Sequence, residues 1–138
     1  MSDKISDQNE FLLKLFSQIT TRVNKAKAAD LAQLTAMAQK SYTAFLVKLG
    51  CEEIGKKLLE ESFELSLAAL EVEKYNGHKQ RIMEEAADVI YHLMVLLAFC
   101  DVKFEQVIDK LEERQKAVDN DQTKLNAKLT RKAKKYDR

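Results

Sequence analysis

No proline interrupts this chain from end to end, and only three glycines, Gly50, Gly55 and Gly77, punctuate it. A chain without proline keeps every backbone N–H available to a helical ladder and escapes the ring clash that breaks helix interiors. Ala, Leu, Glu and Lys, all strong helix formers, dominate the rest. The sequence therefore predicts an all-α fold. Its 138 residues fit one domain and can bury a core of useful size without covalent staples.

Apolar residues recur at helical spacing. Phe11, Leu12, Leu15, Phe16, Ile19 and Val23 mark an amphipathic helix over about residues 8–24, with Lys14 and Arg22 on its polar face. Leu31, Leu34, Ala38, Tyr42, Phe45 and Leu49 put one stripe along the next stretch. Ser41-Tyr42-Thr43 interrupts its helix-favouring composition, leaving open one helix or a helix, a loop and a turn. Gly50 is a natural stop. A third helix over about residues 51–75 ends at Asn76-Gly77, where a left-handed residue costs little. The fourth, about residues 79–100, is apolar nearly all round and belongs at the centre of the bundle or at an interface. Asp101 is a fair N-cap for a fifth helix with the stripe Phe104, Val107, Ile108 and Leu111. Residues 1–115 read as the domain. Residues 116–138 read as a basic polar tail, a helical extension or disordered, that solubilises the protein or steers a nucleotide or partner.

Two pairs of acids carry the chemical signal. Glu61 and Glu64 stand three residues apart in the third helix, and Glu85 and Asp88 three apart in the fourth, so each pair shares a helix face. On a helical projection Ile54, Leu58, Leu65 and Val72 form one apolar stripe, and Glu61 falls in its middle, where a Leu is expected. Leu59, Phe63 and Leu70 form a second stripe, which suggests that this helix packs against its own domain and against a second subunit. If the two helices pack antiparallel, the four acids converge. Like charges about 4 Å apart repel by roughly 4 kcal/mol at an effective dielectric near 20, so such a cluster calls for a hard divalent cation. Mg²⁺ fits, because it can bridge carboxylates on one side and substrate phosphates on the other.

Other chemistries lack their residues. The sequence holds no Walker-type glycine-rich loop, no Ser-His-Asp arrangement in a recognisable context and no Cys/His zinc spacing. The formal charge of +1 gives no overall field to recruit nucleic acid or anionic lipid. Cys51 and Cys100, with no secretory signal, read as reduced thiols of a soluble cytoplasmic protein. The longest uncharged apolar run, Val89 to Cys100, is too short to span a bilayer.

The segments Ser41-Tyr42-Thr43-Ala44-Phe45-Leu46-Val47-Lys48-Leu49-Gly50, Lys57-Leu58-Leu59-Glu60-Glu61-Ser62-Phe63-Glu64 and Glu85-Ala86-Ala87-Asp88-Val89-Ile90-Tyr91-His92-Leu93 together resemble the phosphoribosyl-ATP pyrophosphohydrolases of histidine biosynthesis. The likeness covers about residues 41–114. Glu-Glu-x-x-Glu plus Glu-x-x-Asp alone points to the wider all-α, MazG-like nucleotide pyrophosphohydrolases; the Ser-Tyr-Thr segment and the Asp-x-x-Tyr-His-Leu run narrow it. The resemblance implies an antiparallel helical bundle completed by homodimerisation, Mg²⁺ dependence, and cleavage between the α and β phosphates of phosphoribosyl-ATP. It makes Glu61, Glu64, Glu85 and Asp88 metal ligands. Glu60 becomes a candidate to orient or deprotonate the attacking water alongside Glu61. Lys57 becomes a phosphate contact, and Ser41, Tyr42, Thr43 and His92 become substrate contacts. The long Lys- and Ala-rich stretch between Arg22 and Ser41, and the basic tail, depart from the family pattern.

Competing readings stay beside these. Lys57 also suits a plain ion pair with Glu61 at four-residue spacing. His92 equally suits a core histidine bonded to Asp88, Tyr42 and Tyr91 suit core aromatics, and His78 suits a loop surface. A house-cleaning hydrolase of (deoxy)nucleoside triphosphates, and a catalytically silent helical interaction module, are the alternative functions.

Overall fold

A computed structural model describes residues 2–75, 78–120 and 122–136, and among these every regular element is helical. Asn76-Gly77, the expected stop of the third helix, lies outside the described residues. The chain forms two compact units, Met1–Val102 and Lys103–Arg138.

In the first unit, α1 spans Ser2–Ala28, α2 Leu31–Ala38, α3 Tyr42–Leu49, α4 Cys51–Tyr75 and α5 Lys79–Phe99. α1 runs past both expected ends and buries Phe16, Ile19, Val23 and Ala26, a three–four stripe turned toward α5 and α3. Phe11, counted in that stripe from sequence, is instead exposed. Lys27 closes the far end. Its ammonium donates to the Phe99 carbonyl at 2.8 Å, meets Asp101 at 3.4 Å and sits 5.1 Å over the Phe99 ring, a cation at the C-terminus of α5 where the helix dipole favours one.

The stretch from residue 31 to 49 is two helices, not one. Asp30 starts α2 with a capping box, accepting from the Gln33 N–H at 2.8 Å while the Gln33 side chain accepts from the Asp30 N–H at 3.1 Å. Ser41 then caps α3, its Oγ accepting the Ala44 N–H at 3.3 Å. That break resets the helical register. The stripe read straight through it is therefore not the buried one: Leu31, Tyr42, Phe45 and Leu49 are exposed, and α3 buries Thr43, Ala44, Leu46 and Val47. Gly50 ends α3 with φ +90°, a backbone geometry that a side chain would strain.

α4 holds the bounds expected of it and buries Ile54 and Ala68, with Leu58, Leu65 and Val72 half-covered. α5 is the central helix, packing on α4, α1 and α3 and burying His92, Met94, Val95 and Ala98. The second stripe of α4 is exposed among the described residues. Leu59 is 72% exposed and Phe63 65%, and on α5 Met83 is 58% exposed. Cys51 and Cys100 are free thiols, and desolvation and a contact with Cys51 hold Cys100 above the ordinary thiol range.

The second unit consists of α6, Phe104–Asn120, and α7, Gln122–Tyr136. Asp101 does not cap α6. It takes φ +58° just beyond α5, and the N–H of Lys103 instead finds the Gln106 side chain at 2.9 Å. The region read as helical or disordered is helical over residues 122–136, with the described side chains of 126–135 exposed. No helix among the described residues is long and apolar enough to cross a membrane.

Candidate metal and nucleotide site

The hairpin of α4 and α5 sets the acids. Arg81, near the start of α5, meets Glu71, near the end of α4, and Glu85 meets Glu64 and Glu61 further back. Numbers rise along one helix as they fall along the other, so the two pack antiparallel. Glu61, Glu64 and Glu85 each bring a carboxylate oxygen to within 4.8 Å of the others. Glu61 is half-buried, Glu64 exposed, and the Glu85 side chain only 14% exposed. An all-oxygen, all-anionic donor set at this spacing suits a hard cation such as Mg²⁺ or Ca²⁺ and offers nothing to a soft one.

Asp88, one turn beyond Glu85, is exposed, and its carboxylate is not part of that trio. It lies within electrostatic reach of Tyr42 together with Lys57 and Glu61, which puts it at the same end of the hairpin. Lys57 does not pair with Glu61. Its ammonium donates to Glu60 at 2.6 Å, and that hydrogen bond, with the charge behind it, raises the Lys57 pKa. Glu60 therefore faces Lys57, not the acid trio.

Ser41, Tyr42 and Thr43 make the first turn of α3 and reach α5 through two hydroxyl contacts. The Asp88 carbonyl can only accept, so the 2.7 Å contact places a proton on His92 Nδ1. Nε2 is then the acceptor for the Tyr42 hydroxyl at 2.9 Å. His92 is thus a buried histidine bonded to the backbone of Asp88 and orienting Tyr42, the two rings edge to face with centroids 5.8 Å apart. Burial raises the Tyr42 phenol above its ordinary value; Lys57 opposes the shift, while Glu61, Tyr91 and Asp88 add to it. Thr43 is buried with its hydroxyl 2.7 Å from that of Tyr91. His78 is exposed at the start of α5 and makes no side-chain cap.

Arg81 went unread in the sequence. Its guanidinium clamps both oxygens of Glu71 at 2.8 Å and places Nε 3.5 Å from Glu85, so one cation ties the α4–α5 hairpin to the acid trio. The four-residue spacing from Arg81 to Glu85 was the available signal. Arg22 and Lys40 were also missed as site residues: with Ser41, Tyr42, Thr43 and Tyr91 they line a polar cavity of about 380 Å³.

The sequence pattern of the phosphoribosyl-ATP pyrophosphohydrolase family matches residues 30–115. The chain belongs to that family. The match extends the likeness back from residue 41, so α2 lies inside the family pattern, and the stretch outside it on that side is residues 1–29. A phosphoribosyl-ATP pyrophosphatase of Ignicoccus hospitalis is 47% identical over 79 residues, 57% of this chain and 72% of that protein. One of Clostridium acetobutylicum is 32% identical over 114 residues, 83% of this chain and 89% of that protein. A histidine biosynthesis bifunctional protein of Campylobacter jejuni is 38% identical over 115 residues, 83% of this chain and 49% of its own length. The chain thus spans about half the length of its bifunctional relatives. Within the family pattern fall the acids, Lys57, the Ser41–Thr43 turn and His92.

Proposed function

We propose that this protein hydrolyses the α–β phosphoanhydride of phosphoribosyl-ATP, releasing phosphoribosyl-AMP and pyrophosphate in the cytoplasm. One observation carries the reading beyond family membership: three carboxylates from two antiparallel helices meet within 4.8 Å beside a half-buried lysine and a tyrosine-bearing helix start. Glu61, Glu64 and Glu85 would hold Mg²⁺, with Asp88 completing the set after a side-chain rotation on its exposed edge of α5. When bound, the ion supplies electrophilic activation of the phosphoanhydride and charge neutralisation. Lys57, held beside Glu60, meets a phosphate oxygen, and Glu60 accepts a proton from the water that attacks. Tyr42, kept protonated by its raised pKa and oriented by His92, closes the site toward α3.

The working unit in this reading is a homodimer. Leu59, Phe63 and Leu70 along α4, with Met83 and Ile90 along α5, leave an apolar face uncovered, and such a face on a soluble domain supports burial against a second copy. The activity is tested with purified protein and Mg²⁺ against phosphoribosyl-ATP and a panel of nucleoside triphosphates. Pyrophosphate from phosphoribosyl-ATP is the expected result. Release from the panel with none from phosphoribosyl-ATP would overturn the substrate, and none from either would leave a helical interaction module.

A further inference from the structure

Arg22 and Lys40 stand at a cavity that the acid cluster does not use. Arg22 comes from α1 and Lys40 from the turn before α3, so two separate elements deliver the two cations to one place. The cavity of about 380 Å³ is completed by Ser41, Tyr42, Thr43 and Tyr91. An adjoining one of about 310 Å³ shares Arg22, Lys40 and Ser41 and adds Lys25. Among the described residues no acidic side chain lines either. Among the described residues no ion pair involves Arg22, Lys25 or Lys40, whereas Lys27, Lys56, Lys57, Arg81 and Lys110 each have at least one.

That is an unusual distribution for a chain of formal charge +1. Three cations brought together without a carboxylate repel one another, and an anion relieves the repulsion. The neutral groups at the cavity are also donors. Ser41 uses an Oγ lone pair to cap α3, which leaves its hydroxyl proton free to donate. The first turn of α3 adds the positive end of a helix dipole. Tyr42 lines this cavity and also lies within electrostatic reach of Glu61 and Asp88, so it is the wall shared with the acid site.

We propose that this cavity binds a phosphate monoester, the 5′-phosphate on the phosphoribosyl arm of the substrate. The assignment rests on the activity proposed above, because phosphoribosyl-ATP carries phosphates at two ends of one molecule and ATP at only one. The acids take the triphosphate through a divalent cation. Arg22 takes the monoester with its planar fork, Lys40 with a compact charge, and the Ser41 hydroxyl with a single donated hydrogen bond. Arg22 and Lys40 are then the residues that separate phosphoribosyl-ATP from ordinary nucleoside triphosphates.

The test uses the full chain and an Arg22→Gln/Lys40→Gln double variant; both side chains are exposed, so the fold should tolerate the change. Ribose 5-phosphate is titrated calorimetrically into each protein in EDTA, with ribose as the control. Binding to the wild type, at least about tenfold weaker binding to the variant and no binding of ribose are expected. With Mg²⁺, the variant should show KM for phosphoribosyl-ATP raised about tenfold or more and kcat within about twofold, the pattern of lost ground-state binding. Absent ribose 5-phosphate binding to wild type, equal binding to both proteins, or an unchanged KM would overturn the pocket while leaving the hydrolase reading intact. Ribose 5-phosphate binding that depends on Arg22 and Lys40 in a protein inert toward phosphoribosyl-ATP would keep the pocket and remove the activity.

Discussion

Replacing Glu85 by Gln should stabilise the metal-free protein and destabilise the magnesium-loaded one relative to wild type. Three carboxylates with oxygens within 4.8 Å of one another, each carrying its charge, repel pairwise by roughly 0.9 kcal/mol or more in bulk water and ~3.5 kcal/mol or more at an effective dielectric near 20. Glu64 is exposed and Glu61 half-buried, which weights the aqueous figure. The amide keeps the shape of the side chain and removes two of the three pairs. It also forfeits the long 3.5 Å contact from Arg81. The net expectation is a gain of about 1–2 kcal/mol without metal, or about 3–6 °C in Tm for a domain of this size. Magnesium at about 100 times its Kd would add about 2.7 kcal/mol to a protein with the site intact, and less to one missing a ligand. Thermal unfolding followed by circular dichroism, once in EDTA and once in saturating Mg²⁺, reads both. The order of the two melting temperatures should invert between buffers. A wild type already the more stable in EDTA, or no response to Mg²⁺ in either protein, would refute the idea that these acids form a repulsive cluster relieved by a cation.

Two further outcomes follow from the same geometry. Phe63→Asp should convert a dimer to monomers in sedimentation velocity, since truncating a central aromatic alone costs about 2 kcal/mol or more, roughly 30-fold in Kd; a wild-type protein that sediments as a monomer would remove the paired arrangement. Tyr42→Phe should cost about 0.5–1.5 kcal/mol at pH 8 through the lost bond to His92. It should also soften the alkaline loss of stability: with the Tyr42 pKa raised in the fold, the folded chain holds a proton that the unfolded chain releases, so stability falls as pH climbs from about 10 through the folded value. Urea midpoints at pH 8 and pH 10.5 check this, and an identical difference between the two pH values in both proteins would count against it.

The all-α class, the bounds of α4 and the two acid pairs were legible in the letters, because helical spacing and composition are local properties and a proline-free chain leaves few alternatives. Glu61 in the middle of an apolar stripe already marked a position where burial and charge conflict. The stripe across residues 31–49 misled for an equally local reason: the Ser41 hydroxyl accepts the Ala44 N–H and starts a new helix, which restarts the count, and periodicity read across a cap has no meaning. Which partner a charge chooses was beyond the sequence. Spacing offered Lys57 to Glu61, and side-chain geometry gave it to Glu60; Arg81 lies ten residues from Glu71 and clamps it only because the hairpin folds back.

The chain alone thus determined that helices form and that four acids fall on two of them, since propensity and period act over a turn or two. Only the tertiary structure decided that Glu61, Glu64 and Glu85 meet while the Asp88 carboxylate stays outside the trio. It alone brought Arg22 from α1 and Lys40 from the turn before α3 to one cavity beside Ser41. Convergence of groups from separate helices depends on how those helices pack, and packing is set by the whole buried face, not by any residue's neighbours in sequence.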